Sequence, residues 1–277
     1  MSISAVINTF NEELNLPNVL ASIKSWVDDI VVVDMHSEDR TVEIAHKFGA
    51  RVFTHERLGY ADPARAFAIS QATHEWILML DADEMVPKQL SQRLLTVARN
   101  DEADIVDIPW LNYFFGAPLL HSGWGPDTDF HMRFFKRGFL QSSADVHYFL
   151  HPTPSARILR LDWKVDGHVI HFNYVDIEQF IHKLNRYTSI EAKEWFTQKR
   201  KYSKLWALTS SFRGFLIRFV RHRGYRDGWR GWYLAWLWMF YRLSTFAKLE
   251  ELQQAGGKDS VTRKFQEAAK SCLEDYK

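Results

Sequence analysis

The chain has 277 residues, 46% of them hydrophobic, and a formal net charge of +1. That is enough apolar content to bury a sizeable core, and the near-neutral balance argues against a general nucleic-acid binder. A single cysteine, Cys272, excludes a disulfide framework and a zinc cluster, which fits a reducing cytosol. The first apolar segment is a short strand with no basic leader before it, so export by a signal peptide is not expected.

Ser4-Ala5-Val6-Ile7 reads as a buried strand, and the polar run Asn8 to Glu13 leads into a helix from about Leu16 to Trp26. Asn8, Thr9 and Asn11 suit a strand-to-helix turn whose backbone N–H groups face a ligand. Asp29 to Asp34 is a second, β-branched strand ending in an acid, after which Ser37, Asp39 and Thr41 start a helix. Asp39 serves equally well there as a helix cap or as a ligand contact. Arg51 to Thr54 is a third strand, and Ala61 to Ala72 a helix carrying Arg65. Next, Trp76-Ile77-Leu78-Met79-Leu80 runs straight into Asp81-Ala82-Asp83-Glu84, an apolar strand delivering acids to the carboxyl edge of a sheet, where open α/β folds bind ligands. Two acids one residue apart cannot share a strand face. The turn after Leu80 must aim them, and a hard divalent cation would relieve their repulsion. The plainer reading is that Asp83 or Glu84 caps the helix announced by Pro87. This βαβαβαβ series predicts a doubly wound sheet with right-handed crossovers. No Gly-x-Gly-x-x-Gly and no Gly-Lys-Ser/Thr is present, so phosphates would be held by carboxylates with a metal and by basic side chains such as Arg65.

Pro87 to Arg99 is a further helix and Ala103 to Pro109 resumes the sheet. The stretch Gly116 to Gly138 is too long for a plain connector and is marked as functional. Within it, Asp127 and Asp129 precede a strand-like His131 to Lys136, placing an acid where it can reach the sheet edge from outside. Asp145-Val146-His147 and Asp166 to His171 add two polar clusters. His168 and His171 would fall on opposite faces of a strand and so cannot share one metal.

Taken together, Asn-Thr-Phe-Asn-Glu-Glu, Val-Val-Asp with Ser37-x-Asp39-Arg40-Thr41, and Leu-Asp-Ala-Asp-Glu resemble family 2 glycosyltransferases of the GT-A fold. The nearest likeness is to the lipopolysaccharide core β-1,4-glucosyltransferase group. His121-x-Gly-Trp, Asp129-x-x-x-Arg133-x-Phe and Val146-His147 extend it to about residue 250. The resemblance implies that Thr9, Asn11, Glu12 and Asp34 hold uridine, with Ser37 beside them, and that Arg65 approaches the diphosphate. It implies that Asp81 and Asp83 bind ribose and a Mn²⁺ or Mg²⁺ ion, with His171 as a further metal contact, and that Asp129 is the general base, with Asp127 competing. Relatives carry Arg-Asn where this chain has Arg65-Ala66, and Glu where it has Tyr148, so donor contacts carry over better than acceptor contacts.

The carboxyl-terminal third reads as helical, Ile177 to Trp195 and Leu205 to Arg221, with Gly224 and Gly228 breaking the chain and a polar helical tail after Gly256-Gly257. Aromatic residues make up 15% of the chain, including 11 Trp, and most of that excess falls after Tyr187. The run Trp229 to Tyr241 is too short to span a bilayer, for which about 20 residues are needed. It suits the interface instead, with Arg213, Arg218, Arg221, Arg223, Arg226 and Arg230 meeting anionic lipid. The alternative is a helical appendage packing its aromatics on the catalytic domain. The expected architecture is therefore α/β, a GT-A domain over residues 1–175 with a mixed, mostly parallel sheet and flanking helices, followed by a helical, membrane-associating extension over 176–277. The expected function is inverting transfer from a UDP-sugar to a lipid-linked or lipopolysaccharide-type acceptor at the cytoplasmic face of the inner or plasma membrane. The alternatives are a polyprenyl-phosphate glycosyltransferase and a catalytically silent nucleotide-sugar-binding membrane protein.

Overall fold

The computed structural model describes residues 2–56, 62–142, 150–255, 258–274 and 276. It divides into two compact units, one of residues 1–120 and 124–173, the other of 121–123 and 174–277.

The first unit is built on parallel strands β1 (Ile3–Thr9), β2 (Asp29–Asp34), β3 (Arg51–Thr54) and β4 (Trp76–Asp81), in spatial order β3-β2-β1-β4. The apolar runs of β1, β2 and β4 are buried on both faces, which is why they read as continuous rather than alternating, whereas the edge strand β3 is only half-buried at Val52 and Phe53. Ile3, Ala5, Ile7, Val32, Trp76, Leu78 and Leu80 enter one core with helices α1 (Leu16–Ile23) and α4 (Lys88–Asn100), which bracket α2 (Thr41–Lys47) and α3 (Asp62–Gln71) in the chain. Val6, Val31, Val33, Ile77 and Met79 face the other core, against Ala64, Ala68 and Ala72 at α3. Each fully buried Leu, Ile or Val contributes roughly 1.5–3 kcal/mol, so the doubly covered sheet is held mainly by these residues. Helix α1 stops three residues short of the expected Trp26. The Trp26 indole turns back to donate to Ser22 O (2.9 Å), closing the end as a turn.

Short β5 (Glu84–Met85) follows β4 directly. Beyond β4 the sheet continues as β8-β6-β12-β5, with β6 (Ile105–Phe114) and β8 (Phe130–Lys136) antiparallel, and β7 (Ala117–Pro118) and β11 (Ile158–Arg160) attached to β6. β9 (Leu140–Ser142) and β10 (Leu150–Pro152) form a separate hairpin. β12 (Val169–Tyr174) pairs with β5 so that His171 lies opposite Glu84. The turn into β12 passes at Gly167, φ +92°, where a Cβ would stand 3.0 Å from the Leu90 backbone. Parallel pairing thus fills one half of the sheet, and the other half is antiparallel except where β11 joins β6 in parallel, the mixed α/β arrangement expected of a GT-A domain.

The second unit is helical: α5 (Ile177–Thr197), α6 (Lys204–Leu216), α7 (Gly228–Ala255) and α8 (Lys258–Glu274). Asp176 caps α5 by accepting from Gln179 N (2.7 Å), and Ser203 caps α6 by accepting from Trp206 N (3.1 Å). Ala192, Trp195, Ala207, Phe246 and Leu249 form the core between them. The expected helix to Arg221 ends α-helical at Leu216 and continues as a π-helical turn, Ile217–Arg221. Gly224 and Gly231 cross so closely that a Cβ on Gly231 would lie 1.9 Å from the Gly224 carbonyl oxygen, so no side chain fits there. Ser122 sits at this crossing and donates to Asp227 Oδ2 (2.6 Å). Among the described residues no helix is long and apolar enough to cross a membrane.

Candidate active site

The strand register brings Asn8 beside Asp81 and Thr9 beside Asp34 at the carboxyl edge. There the side-chain oxygen and nitrogen of Asn8, the Thr9 hydroxyl and Asp34 Oδ1 are buried without a hydrogen-bond partner among the described residues. A buried polar group left unmade costs about 1–3 kcal/mol, so a cluster of them marks a place kept for a ligand. The expectation of ligand-facing backbone N–H groups in the following turn is corrected. Asn11 N donates to Ser37 Oγ (2.8 Å), Glu12 N to Thr41 Oγ1 (2.8 Å) and Glu13 N to Asp39 Oδ2 (3.1 Å). Ser37 N in turn donates to Asp34 Oδ2 (3.0 Å), so Ser37, Asp39 and Thr41 lock two loops together. Asn11, at φ +53°, also accepts from Glu38 N through Oδ1 (2.8 Å), while Glu12 accepts from Asn15 Nδ2 (2.8 Å). Asp39 additionally accepts from Thr41 N (3.0 Å), one residue ahead of Arg40, which is the cap position of α2 and makes no side-chain cap bond.

The acids after Leu80 point to two places. Asp81 Oδ2 accepts from Arg65 Nη2 (2.5 Å) and Arg133 Nη2 (3.2 Å). Burial pushes its pKa up, but the two guanidinium charges outweigh that and hold the group well below the ordinary range. Asp83 turns the other way, with Oδ2 3.5 Å from His171 Nε2. Glu84, fully buried, reaches Arg133 through Oε1 (3.2 Å) and, among the described residues, has no hydrogen-bond partner for Oε2. Burial first, and the Asp81 and Asp83 charges with it, push Glu84 up to about 8 against the pull of Arg133 and His171. The capping reading of Asp83 and Glu84 fails, because the residue before α4 is Pro87 and no side chain caps that helix.

Asp83, Glu84 and His171 each offer a ligand atom within 4.8 Å of the others and form a group able to hold a metal ion. Two carboxylates and an imidazole suit a divalent cation, and the orphaned Glu84 oxygen among like charges is the strain such an ion relieves. Asp81, expected among the ligands, stands outside this group in its pairing with Arg65 and Arg133. His168 precedes β12 and is not part of this group. Its ring packs at Trp163, and burial lowers its pKa.

Asp129 precedes β8 and joins the same neighbourhood. Its Oδ2 accepts from Asn112 Nδ2 (2.6 Å) and its Oδ1 contacts His131 Nε2 (3.0 Å). Burial raises its pKa, but the hydrogen bonds from His131 and Asn112 and the nearby His171 keep it below the ordinary range, so it is ionised at neutral pH. Asp127 is exposed and accepts from the Trp163 indole (2.7 Å). Trp110 forms the floor, its ring 3.8 Å from the His131 ring and 4.7 Å from that of His171, with the Arg133 guanidinium 4.9 Å from its centroid. Glu84, Arg133, Asn112 and His131 were not singled out from sequence as site residues. Glu84 and Arg133 had a signal, an acid adjoining Asp83 and an arginine in an apolar strand. Asp145, Val146, His147 and Tyr148 lie outside the described residues.

The sequence pattern of the glycosyl transferase family 2 domain matches residues 4–165. The chain belongs to this family. An uncharacterised glycosyltransferase of Rickettsia typhi is 27% identical over 259 residues, covering 90% of this chain and 87% of its own. The lipopolysaccharide core biosynthesis glycosyltransferase LpsC of Rhizobium meliloti is 25% identical over 262 residues, covering 90% of this chain and 92% of its own. Among solved structures, the glucosyl-3-phosphoglycerate synthase of Mycobacterium tuberculosis, in complex with Mn²⁺, UDP and glucosyl-3-phosphoglycerate, is 23% identical. It covers 40% of this chain and 44% of its own, at a TM-score of 0.35. For this family 2 glycosyltransferase the match stops just before β12 and His171, and helices α5 to α8 lie beyond it.

Proposed function

We propose that this family 2 glycosyltransferase moves a hexose from a UDP-sugar to a hydroxyl of a lipid-linked or lipopolysaccharide-type glycan, with inversion at the anomeric carbon. The observation that carries this is the meeting of unpartnered polar groups of Asn8, Thr9 and Asp34 with the acids of β4 and β5 at one sheet edge. Asn8, Thr9 and Asp34 would hold the nucleoside, while Arg65 and Arg133, held by Asp81, supply positive charge beside the diphosphate. Asp83, Glu84 and His171 would hold a Mn²⁺ or Mg²⁺ ion, which when bound supplies Lewis-acid stabilisation of the leaving diphosphate worth several kcal/mol. Asp129, fixed by Asn112 and His131, would take the proton of the acceptor hydroxyl as that oxygen bonds to the anomeric carbon and the bond to diphosphate breaks. One displacement from the opposite face inverts the centre. A placed base contributes about 10²- to 10⁴-fold.

Asp129→Asn tests this. Transfer should fall about 10²- to 10⁴-fold while UDP affinity by calorimetry stays within twofold. Unchanged transfer would remove Asp129 and move the role to Asp127.

We also propose that the helical unit docks on an anionic membrane at the cytoplasmic face and presents the acceptor there. On α7, Trp229, Trp232, Tyr233, Trp236 and Phe240 recur at helical spacing on an exposed stripe, with Trp232 44% and Phe240 55% exposed. Leu216, Ile217 and Val220 line a groove between Arg213 and Arg221, where the π-helical turn widens the helix. Exposed rings beside arginines match an interface of headgroups and upper acyl chains. Arg218 is excluded from this set, since it donates to Ser122 O (2.9 Å) and lies on Trp238 (4.0 Å). The full chain should float with vesicles containing anionic lipid, and Trp232→Ser should weaken that about tenfold, or about 1.4 kcal/mol. Absence of flotation removes the membrane reading and leaves the enzyme reading intact.

A further inference from the structure

Asn112 sits on β6 at 1% exposure, and among the described residues its side chain hydrogen-bonds to Trp124, Asp129 and His171. Its Nδ2 lies 2.9 Å from the Trp124 carbonyl and 2.6 Å from Asp129 Oδ2. Its Oδ1 lies 2.7 Å from His171 Nδ1. A carbonyl and a carboxylate can only accept, so the NH₂ end of the amide must face them and the oxygen must face His171. The oxygen can only accept as well. His171 therefore carries a proton on Nδ1, and its Nε2 is the atom turned to Asp83 Oδ2 at 3.5 Å. In the neutral ring a lone pair would confront a carboxylate, an arrangement that a cation between them resolves. The main chain adds to the hub: Leu119 N donates to Asn112 O (2.8 Å), closing the base of the segment that carries Trp124 and Asp129.

We propose that Asn112 is a positioning residue that sets the ring nitrogen His171 offers to the cation and, with the same amide, fixes Asp129 and the Trp124 segment. It rests on the metal site proposed above. A ligating imidazole generally donates its other N–H to a fixed acceptor, and loss of that acceptor costs about 10- to 100-fold in metal affinity. In this chain the acceptor is an amide whose other end holds the base. Cation binding and base orientation are thereby joined through one side chain without any contact of Asn112 with substrate.

Two variants of the full chain separate this from a packing role. Asn112→Ala removes both ends of the amide, whereas Asn112→Asp keeps an acceptor for His171 but sets a carboxylate against Asp129. Mn²⁺ binding in the presence of UDP, followed by the loss of the free-ion electron paramagnetic resonance signal, should weaken 10- to 100-fold in Asn112→Ala and stay within about threefold in Asn112→Asp. Transfer should fall in both. Wild-type Mn²⁺ affinity in Asn112→Ala, or equal loss in the two variants, would overturn the proposal. Should the alanine variant fail to fold, nuclear magnetic resonance of nitrogen-labelled histidine in the Mg²⁺-loaded wild type decides. A proton on His171 Nδ1 supports it; a bare Nδ1 overturns it. Wild-type protein that binds UDP but never Mn²⁺ or Mg²⁺ instead overturns the metal reading itself.

Discussion

The two edges of the sheet treat their acids in opposite ways. At the amino edge, Asp29 receives Arg51 Nε (2.9 Å) and Nη2 (2.7 Å), Ser4 Oγ (3.0 Å) and Thr73 Oγ1 (2.9 Å). Asp28 receives Ile3 N (2.8 Å), and Asp104 receives Arg157 and Lys136. At the carboxyl edge, Asp34 and Glu84 each keep an oxygen without a hydrogen-bond partner among the described residues, burial pushes the Glu84 carboxyl up to about 8, and Asp83 faces an imidazole 3.5 Å away. Acids that serve folding have their donors built in. Asp34, Asp83 and Glu84 at the other edge, unlike their neighbour Asp81 with its two arginines, are held in surroundings that an added ligand would improve, which is how a site stores function at the expense of stability.

The largest expected contrast is at Glu84. Glu84→Gln keeps an oxygen for Arg133 and removes a carboxyl that burial and two neighbouring acids disfavour. In EDTA the variant should be more stable than wild type by about 1 kcal/mol, some 2–4 °C in Tm. Transfer should nonetheless drop by roughly 10²-fold, with Mn²⁺ affinity at least tenfold weaker. A variant that melts lower than wild type and keeps its metal affinity would place Glu84 with the acids of the amino edge and erase the distinction.

Much of the sheet was readable in advance because its strands are apolar and β-branched and its helices start and stop at polar turns. Ile77 to Leu80 followed by three acids announced both a buried strand and a charged edge. What remained hidden depends on pairings between distant segments. That Glu84 rather than Asp81 would join Asp83 follows from His171 lying opposite Glu84 in β12, a register that no local pattern encodes. Asn112 lies in a run of apolar and aromatic residues, and nothing nearby reveals that its amide meets Asp129 and His171. The turn after β1 misled for the opposite reason. Its N–H groups look open to a ligand until Ser37, Asp39 and Thr41 arrive from the next loop to accept them. Residues that satisfy one another across loops are indistinguishable in sequence from residues awaiting a ligand.

The smaller effect lies at the amino edge and has a defined pH dependence. Asp104 accepts from Arg157 N (3.0 Å), Nε (3.0 Å) and Nη2 (2.8 Å) and from Lys136 Nζ (3.0 Å), joining the head of β6 to the end of β8 and the start of β11. The Arg157 guanidinium, with Lys136 beside it, holds the Asp104 carboxyl well below the usual carboxylate range. A depressed folded-state value means stability that is fully present above the unfolded value of about 4 and is lost as pH falls toward the folded one. Asp104→Asn should therefore cost about 1–3 kcal/mol in urea unfolding at pH 7. The gap to wild type should narrow as the pH is taken from 5 toward 3, where the wild-type carboxylate begins to lose its advantage. UDP binding at pH 7 should not change, because the substitution lies at the far end of the strands from Asn8, Thr9 and Asp34. A gap that is constant across that range would assign the contribution of Asp104 to hydrogen bonding alone, and a loss of UDP affinity would show that the two edges are coupled through the sheet.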